Sequence, residues 1–413
     1  MRNRSRWIGR AVPACLIVLV AAATRLPGDD WPQFRGPRRD GISGETGLMK
    51  SWPETGLDVL WRTRLGEGFS GLSVVNGRIF TMFGSRGDEF ATAIEADTGQ
   101  EIWRFRVDSK WVDMMGNGPR STPTVDEGRV FVLSAKGMLH ALNADNGESL
   151  WSRNLGKDFG AKPPQWGRST SPLVEGSLLL VDVGGHEDSS IVAFDKKTGE
   201  EVWRSQEDRA GYSSPITVTI GGVRQVLFFT ARNLVSLAPA DGSLYWKVPW
   251  KTSYEVNAAV PVFVAPDKVF VSSGYGKGSV LLRVNGAGDK AAVEEIWRSR
   301  EMKNHFSSSV LHDGHLYGFD DKTLKCVDVA TGETVWRKRG LGHGTLLLAD
   351  GHLIVLGDHG GLVLVEATAE EYRERGQTRM FKGKTWTMPT LVGGKLYLRD
   401  ESELLSVDVS SQG

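Results

Sequence analysis

The chain has 413 residues, and its 50 Lys and Arg balance its 50 Asp and Glu, so its formal net charge is zero. A neutral chain excludes recruitment to nucleic acid or to an anionic membrane by bulk charge, and we expect neither as a partner. Its 50 glycines are typical of a fold with many tight turns.

Residues 1–23 have the pattern of a secretory signal peptide. Arginines at positions 2, 4, 6 and 10 precede a short apolar run, Ala11–Ala23, that ends in small residues. This run is shorter than the ~20 residues that a membrane-spanning helix needs. We therefore expect a periplasmic or secreted protein with no membrane span after removal of the signal. A retained anchor is the alternative.

Residues 24–56 are predicted to form an N-terminal arm. The segment shows little periodicity, but it carries the aromatic sequence W-P-Q-F-R-G-P at Trp31–Pro37. Aromatic residues are scarce in disordered linkers. We therefore expect an ordered arm that packs on the folded domain.

Beyond the arm, a seven-residue phrase recurs and ends in tryptophan, as in D-T-G-Q-E-I-W at Asp97–Trp103. In five copies the tryptophan lies four residues after a glycine. The five pairs are Gly99 with Trp103, Gly147 with Trp151, Gly199 with Trp203, Gly242 with Trp246, and Gly332 with Trp336. Self-similarity at a constant period indicates a repeat architecture.

Each phrase has the physical pattern of a β-hairpin. Alternating apolar runs flank an Asx/Thr-Gly turn, in which the glycine supplies a positive φ. The tryptophan then lies on an outer strand, where its large flat surface packs against the neighbouring unit. Two more strands precede each hairpin, so each unit is a four-stranded antiparallel meander. Eight such strand trios begin near Ser70, Ser121, Ser169, Ser213, Ala258, Ser307, Thr345 and Thr387.

The eighth unit has only three strands before the chain ends. Its missing strand is present near the other terminus, at Leu57–Arg62, which contains Trp61. We therefore predict an all-β, eight-bladed β-propeller over residues 57–413, with the ring closed by that N-terminal strand. Trp297 ends unit five without the glycine offset. In unit seven, Ala367–Arg373 replaces the glycine turn, and Phe381 is predicted to replace the tryptophan.

The phrase A-x-D-x-x-T-G-E-x-x-W resembles the pyrroloquinoline-quinone-type (PQQ-type) propeller repeat. That repeat occurs in eight-bladed quinoprotein dehydrogenases and in the outer-membrane assembly lipoprotein BamB. The resemblance implies that the tryptophan of each blade docks against the next blade. A closer similarity, to secreted BamB-like propellers frequent in planctomycete-type bacteria, covers Trp31–Gly41, Gly211–Pro215, Arg224–Thr230, Trp250–Asn257, Met302–Ser308, Tyr317–Asp321, Arg339–Gly344 and Trp386–Pro389.

The residues that enter the first strand of each blade are predicted to form a ring at one mouth of the central channel. Arg120, Arg168 and the nearby Lys384 would hold an anionic group of a small polar ligand, and Tyr212 and Trp386 would provide stacking surfaces. Alternatively, the polar residues satisfy strand ends and channel waters. The candidate ligand-binding residues are Arg120, Arg168, Tyr212, Glu255, Asn257, His305, His343 and Trp386.

Two main functions are compatible with these residues. The first is a non-catalytic binding or assembly scaffold with protein partners in the cell envelope, monomeric and without a cofactor or metal, because no complete catalytic set is present. The second, implied by the resemblance, is a PQQ-dependent dehydrogenase that holds calcium. Glu255 or Asn257 would bind the calcium, Arg168 or Arg120 would approach the quinone, and Trp386 would pack beneath it. A glycoside-processing site ranks last, because Glu255 is the one obvious carboxylate in the ring.

Overall fold

Eight four-stranded antiparallel sheets follow one another along the chain in a computed structural model that describes residues 30–411. They confirm the predicted eight-bladed propeller. The signal segment predicted at residues 1–23 lies outside the described residues. One short α-helix, Leu155–Phe159, and two 3-10 turns, Ser253–Glu255 and Gly288–Lys290, lie between strands. None of the described helices has the length and apolar character that a membrane crossing requires.

Each blade runs from a short inner strand near the axis to an outer strand at the rim. The strands of blades one to four are Ser73–Val75, Arg78–Ser85, Asp88–Glu95 and Glu101–Ser109; Thr124–Asp126, Arg129–Leu133, Met138–Asn143 and Ser149–Asn154; Leu173–Glu175, Leu178–Asp182, Ile191–Asp195 and Glu201–Ser205; Ile216–Ile220, Val223–Phe229, Asn233–Leu237 and Leu244–Pro249. Those of blades five to eight are Val262–Val264, Lys268–Ser273, Gly278–Asn285 and Ala292–Ser299; Val310–His312, His315–Asp320, Thr323–Asp328 and Thr334–Lys338; Gly344–Ala349, His352–Gly357, Gly361–Glu366 and Glu374–Arg379; Thr390–Val392, Lys395–Arg399, Glu403–Asp408 and Val59–Arg64.

The inner strands begin later than predicted in most blades, at Ser73 instead of Ser70 in the first. The residues before them leave the sheet of their own blade because they bond to the next blade around the axis. The hydroxyl of Ser70, for example, donates to the carbonyl of Ser121 over 2.7 Å, and that of Ser213 donates to Ala259 over 2.9 Å. These bonds tie the blades together around the channel.

The ring closes as predicted, although the closing strand spans Val59–Arg64 instead of Leu57–Arg62. It pairs antiparallel with Glu403–Asp408, with Arg62 opposite Leu405. The pairing covers the edge of Glu403–Asp408 and gives blade eight the same four strands as the other blades.

The recurrent glycine and tryptophan meet between blades. Gly199 has a φ of 71°, and a Cβ placed there would lie 2.5 Å from the ring of Trp151 in the preceding blade. The same contact joins Trp61 to Gly99, Trp103 to Gly147, Trp203 to Gly242, and Trp297 to Gly332. Each of these indoles also donates its N–H to a turn carbonyl of the next blade, as from Trp103 to Ala144 over 3.0 Å. The predicted docking of a blade on the next is therefore present at these five junctions.

Trp246 departs from this pattern. The facing turn of blade five is an enlarged loop that includes Gly288–Lys290 and lacks the phrase. The indole N–H of Trp246 donates instead to Oε1 of Gln225 in its own blade, over 2.9 Å. Without the glycine turn, the tryptophan satisfies its donor locally and remains 5% exposed.

Blade seven corrects one prediction, because Phe381 does not occupy the tryptophan position. The tryptophan position lies opposite the residue that precedes the β-bulge. In blade seven this position is occupied by Gly376, which pairs with Leu364. Trp52 of the arm covers this glycine. The backbone N–H of Trp52 donates to the carbonyl of Arg375 over 2.9 Å. A Cβ placed at Gly376 would lie 2.6 Å from the Cβ of Trp52. Trp52 is buried in the core cluster that the arm shares with blades seven and eight, so the arm provides a tryptophan beside the position where blade seven has none.

The arm also crosses the end of the channel opposite the predicted mouth. Trp31 pairs with Val74 of blade one, and Pro32 accepts a bond from Val125 of blade two over 2.8 Å. The guanidinium of Arg39 donates to Pro215 of blade four over 3.0 Å and to carbonyls of blade three. Arg35 donates to Ser309 of blade six over 2.7 Å. Carbonyls at the ends of the inner strands are therefore satisfied by two buried arginines.

The contact between glycine and tryptophan is tested by Gly199→Ala, with Gly128→Ala as its control. Both glycines have a positive φ, but a Cβ at Gly128 meets nothing within 4 Å. Gly128→Ala should cost about 1 kcal/mol from backbone strain alone. Gly199→Ala should cost about 2–4 kcal/mol, because the methyl group also displaces the Trp151 ring. Equal losses in urea denaturation would show that the ring contributes nothing.

The docking of the arm is tested by Trp52→Ala. Removing a buried indole should destabilise the protein by about 3 kcal/mol. Leu60→Ala on the closing strand is the control, because Leu60 is exposed and its loss should cost under about 1 kcal/mol. Thermal denaturation of the two variants measures the difference. A Trp52→Ala protein as stable as the Leu60→Ala protein would contradict the assigned role of Trp52.

Candidate functional site

The propeller encloses an axial cavity of ≈ 200 Å³ that opens at the mouth opposite the arm. The ends of the inner strands form its wall, mostly with apolar groups. Phe34 and Arg35 of the arm line its far end. Arg35 is 3% exposed, and its guanidinium donates to the carbonyls of Asp40 and Ser309 over 2.6 and 2.7 Å. The arm therefore makes the cavity a blind pocket.

A chain of aromatic rings surrounds most of the mouth, with successive centroids 4.8–6.1 Å apart. We call it the aromatic arc; in the order of their contacts its rings are Phe69, Trp386, Phe306, His305, Tyr275, Tyr254, Trp166 and Tyr212. Tilted and edge-to-face arrangements at this spacing are favourable for aromatic pairs. Loops of six different blades therefore present one continuous apolar surface.

Arg120 fills the gap between the two ends of the arc. Its guanidinium lies 5.9 Å from the centroid of the Phe69 ring. It donates to the carboxylate of Asp113 over 2.7 Å and to the carbonyls of Gly116 and Gly118 over 2.6 and 2.5 Å. Burial lowers the pKa of Arg120, and Asp113 opposes that shift. Asp113 balances the charge of Arg120, so Arg120 forms part of the pocket wall.

The structure brings only part of the predicted ring to the pocket. Arg120, Tyr212, His305 and Trp386 line it. Lys384 lies at its rim, with Nζ 4.5 Å from the centroid of the Trp386 ring.

Arg168 and Asn257 are buried in the blades instead. Arg168 donates to the carbonyls of Val183 and Lys162. The side-chain amide of Asn257 donates to Thr230 and Ala231 over 2.9 and 3.0 Å. These two polar side chains are used to satisfy carbonyls of the loops, so neither faces a ligand.

Glu255 and His343 lie outside the pocket. Glu255 forms ion pairs with Arg232 over 2.6 Å and Arg209 over 3.3 Å at the outer rim. His343 packs behind His305, with ring centroids 5.5 Å apart, and its Nδ1 is 3.4 Å from Asp358. Both are therefore occupied by neighbours away from the cavity.

The prediction missed three residues that line the pocket, Tyr275, Phe306 and Phe34, and one residue of the arc, Tyr254. Tyr275 lies in the turn between the second and third strands of blade five, and Tyr254 lies in the loop that enters that blade. Both have left-handed backbones, with φ of 55° and 61°. This conformation costs a non-glycine residue about 1–2 kcal/mol. The G-Y-G sequence at Gly274–Gly276 is the one local signal that indicates such a turn.

Two buried carboxyl groups join blades beneath the mouth. Glu89 accepts bonds from the backbone N–H groups of Trp111 and Ala135, both over 3.1 Å. Asp182 accepts one from Gly211 over 2.9 Å. Burial raises the pKa of each group to about 7, against the opposing effect of these N–H donors. Neither carboxyl lines the pocket, so their role is structural.

The residues considered for PQQ and calcium do not fit that pair. Calcium requires several oxygen ligands that converge on one point. The carboxylate of Glu255 is paired with two arginines at the rim, whereas Asn257 is fully bonded inside the blade. Across residues 30–411, no three His, Cys, Asp or Glu side chains gather where they could hold a metal ion.

Comparison with known proteins identifies relatives over most of the chain. The model of a family described as outer membrane protein assembly factor BamB matches residues 53–157, 87–338 and 320–411. BamB of Burkholderia pseudomallei is 27% identical over 334 residues, which cover 77% of this chain and 79% of that protein. BamB of Salmonella typhimurium is 26% identical over 326 residues, which cover 73% and 78% of the two chains.

Two solved structures share the fold. BamB from Moraxella catarrhalis has a TM-score of 0.62 at 15% identity, and the match covers 86% of this chain and 99% of that one. The quinohemoprotein alcohol dehydrogenase from Comamonas testosteroni has a TM-score of 0.62 at 13% identity, with coverage of 95% and 82%. At such low identity these matches establish the propeller architecture and nothing further.

The buried carboxyl of Asp182 makes stability depend on pH. Its folded-state pKa of about 7 lies above the ~3.9 of an unfolded aspartate. Its contribution is therefore complete below about pH 4 and is lost as the pH rises through 7. Between pH 5 and pH 8, the wild type should therefore lose about 2 kcal/mol of its free energy of unfolding, and the Asp182→Asn variant should not show this loss.

Urea denaturation at several pH values measures this difference. The control is Asp145→Asn, at an exposed turn, whose difference from the wild type should stay within about 0.5 kcal/mol over the same range. Parallel stability curves for Asp182→Asn and the wild type would contradict the raised pKa of Asp182.

Proposed function

The chain belongs to the family of the outer membrane protein assembly factor BamB, and we propose that it is a non-catalytic scaffold that binds a protein partner through the mouth of its propeller. The observation that supports this most is the apolar surface at the mouth. Met114 is 93% exposed, Val112 68% and Tyr254 66%. Soluble monomers rarely expose apolar side chains in clusters, and such clusters mark surfaces for partners.

The loop that carries Val112 and Met114 is held firmly. The carboxylate of Asp113, between them, accepts bonds from the backbone of Met115 over 2.6 Å, from Arg120 over 2.7 Å and from the indole N–H of Trp111. Three donors fix the backbone of this loop, so its apolar side chains are presented from one backbone conformation. Little backbone entropy is then lost when a partner covers them.

The rest of the proposal follows the sequence. The predicted signal segment favours the periplasm or the exterior of the cell, where the partner would be a protein of the cell envelope. The BamB relatives are named for outer membrane protein assembly. The outer membrane borders the periplasm and is part of the cell envelope. A closed ring has no unpaired blade that demands a second copy, so we propose a monomer.

The partner surface is tested by Val112→Asp combined with Met114→Asp. A partner that covers two carboxylates on this loop must remove their hydration, which costs free energy. Recovery of the partner in affinity purification from the native cells should therefore fall at least tenfold. The melting temperature should change little, because both residues are exposed. Leu150→Asp is the matched control, since Leu150 is 48% exposed on an outer strand.

A photoreactive benzoylphenylalanine at position 114 tests directly whether this loop contacts a partner. It should give one discrete cross-linked product in living cells. The same group at Val335, exposed on the outer strand of blade six, should give none. Products at both positions, or none at position 114, would overturn the proposal.

A further inference from the structure

We infer that the axial pocket receives a single uncharged aromatic side chain of the partner, which enters through the aromatic arc and stops against the arm. This inference rests on the proposed function, because it takes the partner to be a protein. It adds a specific anchor to a surface that otherwise offers only general apolar contact.

The size and lining of the pocket favour one ring system. An apolar cavity of about 150 Å³ holds one benzene molecule, and this cavity has ≈ 200 Å³. Phe69, Phe306, Trp386 and Met388 line it. Rings at this spacing leave faces and edges available to a further aromatic group, and each such contact adds about 0.5–1.5 kcal/mol.

The blind end excludes a threaded chain. Phe34 and Arg35 close the pocket, and the guanidinium of Arg35 is held by carbonyls of the arm and of blade six. A polypeptide cannot pass between the two faces while this contact is present. What enters from the mouth must therefore be a side chain or a small molecule.

The charges of the wall favour an uncharged guest. Arg120 is balanced by Asp113, and Arg35 donates to backbone carbonyls. Of the described residues that line the pocket, none is Asp or Glu. A cationic guest would find no counter-charge, and an anionic guest would compete with Asp113 for Arg120. Either would lose its hydration without compensation.

The surroundings of the pocket favour a side chain over a free molecule. A guest small enough for ≈ 200 Å³ cannot also cover Val112, Met114 and Tyr254, which remain exposed around the mouth. A protein that inserts one aromatic residue covers both. This arrangement, a buried aromatic anchor within a ring of supporting contacts, is common at the centres of protein interfaces.

The first experiment titrates the signal-free protein with N-acetyl-tryptophanamide by calorimetry and by saturation-transfer NMR. We expect one-to-one binding with a Kd below about 1 mM, in line with the ~0.3 kcal/mol per heavy atom of small ligands. N-acetyl-leucinamide, with an aliphatic side chain, should bind at least tenfold more weakly. Equal binding of the two amides, or binding of free indole alone, would overturn the inference.

The second experiment fills the pocket. Ala258 lines it, so Ala258→Trp should weaken the binding of the tryptophan amide at least tenfold and abolish the cross-link at position 114. Leu150→Trp on the outer strand should change neither. Tyr275→Ala, which removes an exposed ring of the arc, should weaken the binding of the amide even if Ala258→Trp fails to fold.

The outcomes separate the two proposals. A cross-link at position 114 that persists in a folded Ala258→Trp protein overturns the aromatic anchor and leaves the scaffold function standing. Absence of any cross-link, together with tight binding of the amide, overturns the scaffold function and the anchor that depends on it.

Discussion

Five of the eight junctions between blades are held by a tryptophan that lies flat on a glycine of the next blade. The glycine has two roles at once, because its φ near 70° closes the turn and its missing side chain makes room for the indole. The indole N–H then satisfies a carbonyl of the same turn. Turn, packing and hydrogen bond thus depend on one another, and each blade buries its face only when its neighbour is present.

The same constraint explains the three irregular junctions. Blade five has no glycine turn, so Trp246 bonds to Gln225 within its own blade. Blade seven lacks the glycine as well, and the outer tryptophan of blade six donates to a carbonyl of the loop that replaces the turn. Blade seven also has no outer tryptophan, and Trp52 of the arm packs against the glycine at that position. The arm is therefore part of the propeller's packing, and its path from Trp31 to Trp52 also determines that the channel is closed at one end.

The fold could be predicted because the fixed offset from glycine to tryptophan encodes a local turn and a contact between neighbours in sequence. The pocket was less predictable. Arg120, Tyr212, His305 and Trp386 enter inner strands and could be placed on the axis from the period alone. Tyr254 and Tyr275 reach the mouth from loops with left-handed backbones, which no periodic pattern records.

Polar residues misled the sequence analysis for a different reason. Arg168 and Asn257 stand at the predicted ring positions, but carbonyls of the loops that follow the second strands accept their hydrogen bonds. A sequence shows where such donors lie along a strand, yet the count of unsatisfied carbonyls around them follows only from the tertiary arrangement. Trp52 was missed likewise, because its glycine lies more than 300 residues away in the chain.

The closing strand has a consequence for the order in which the protein is made. Val59–Arg64 is synthesised among the first residues of the propeller, but its partner, Glu403–Asp408, is among the last. Until blade eight has been made, this strand keeps an unpaired edge, although its Trp61 can already dock on blade one. A polypeptide stalled before blade eight would offer that edge to the corresponding strand position of another copy, which favours exchange between chains over solitary folding. Completion of blade eight is thus the event that separates a self-contained ring from an intertwined oligomer.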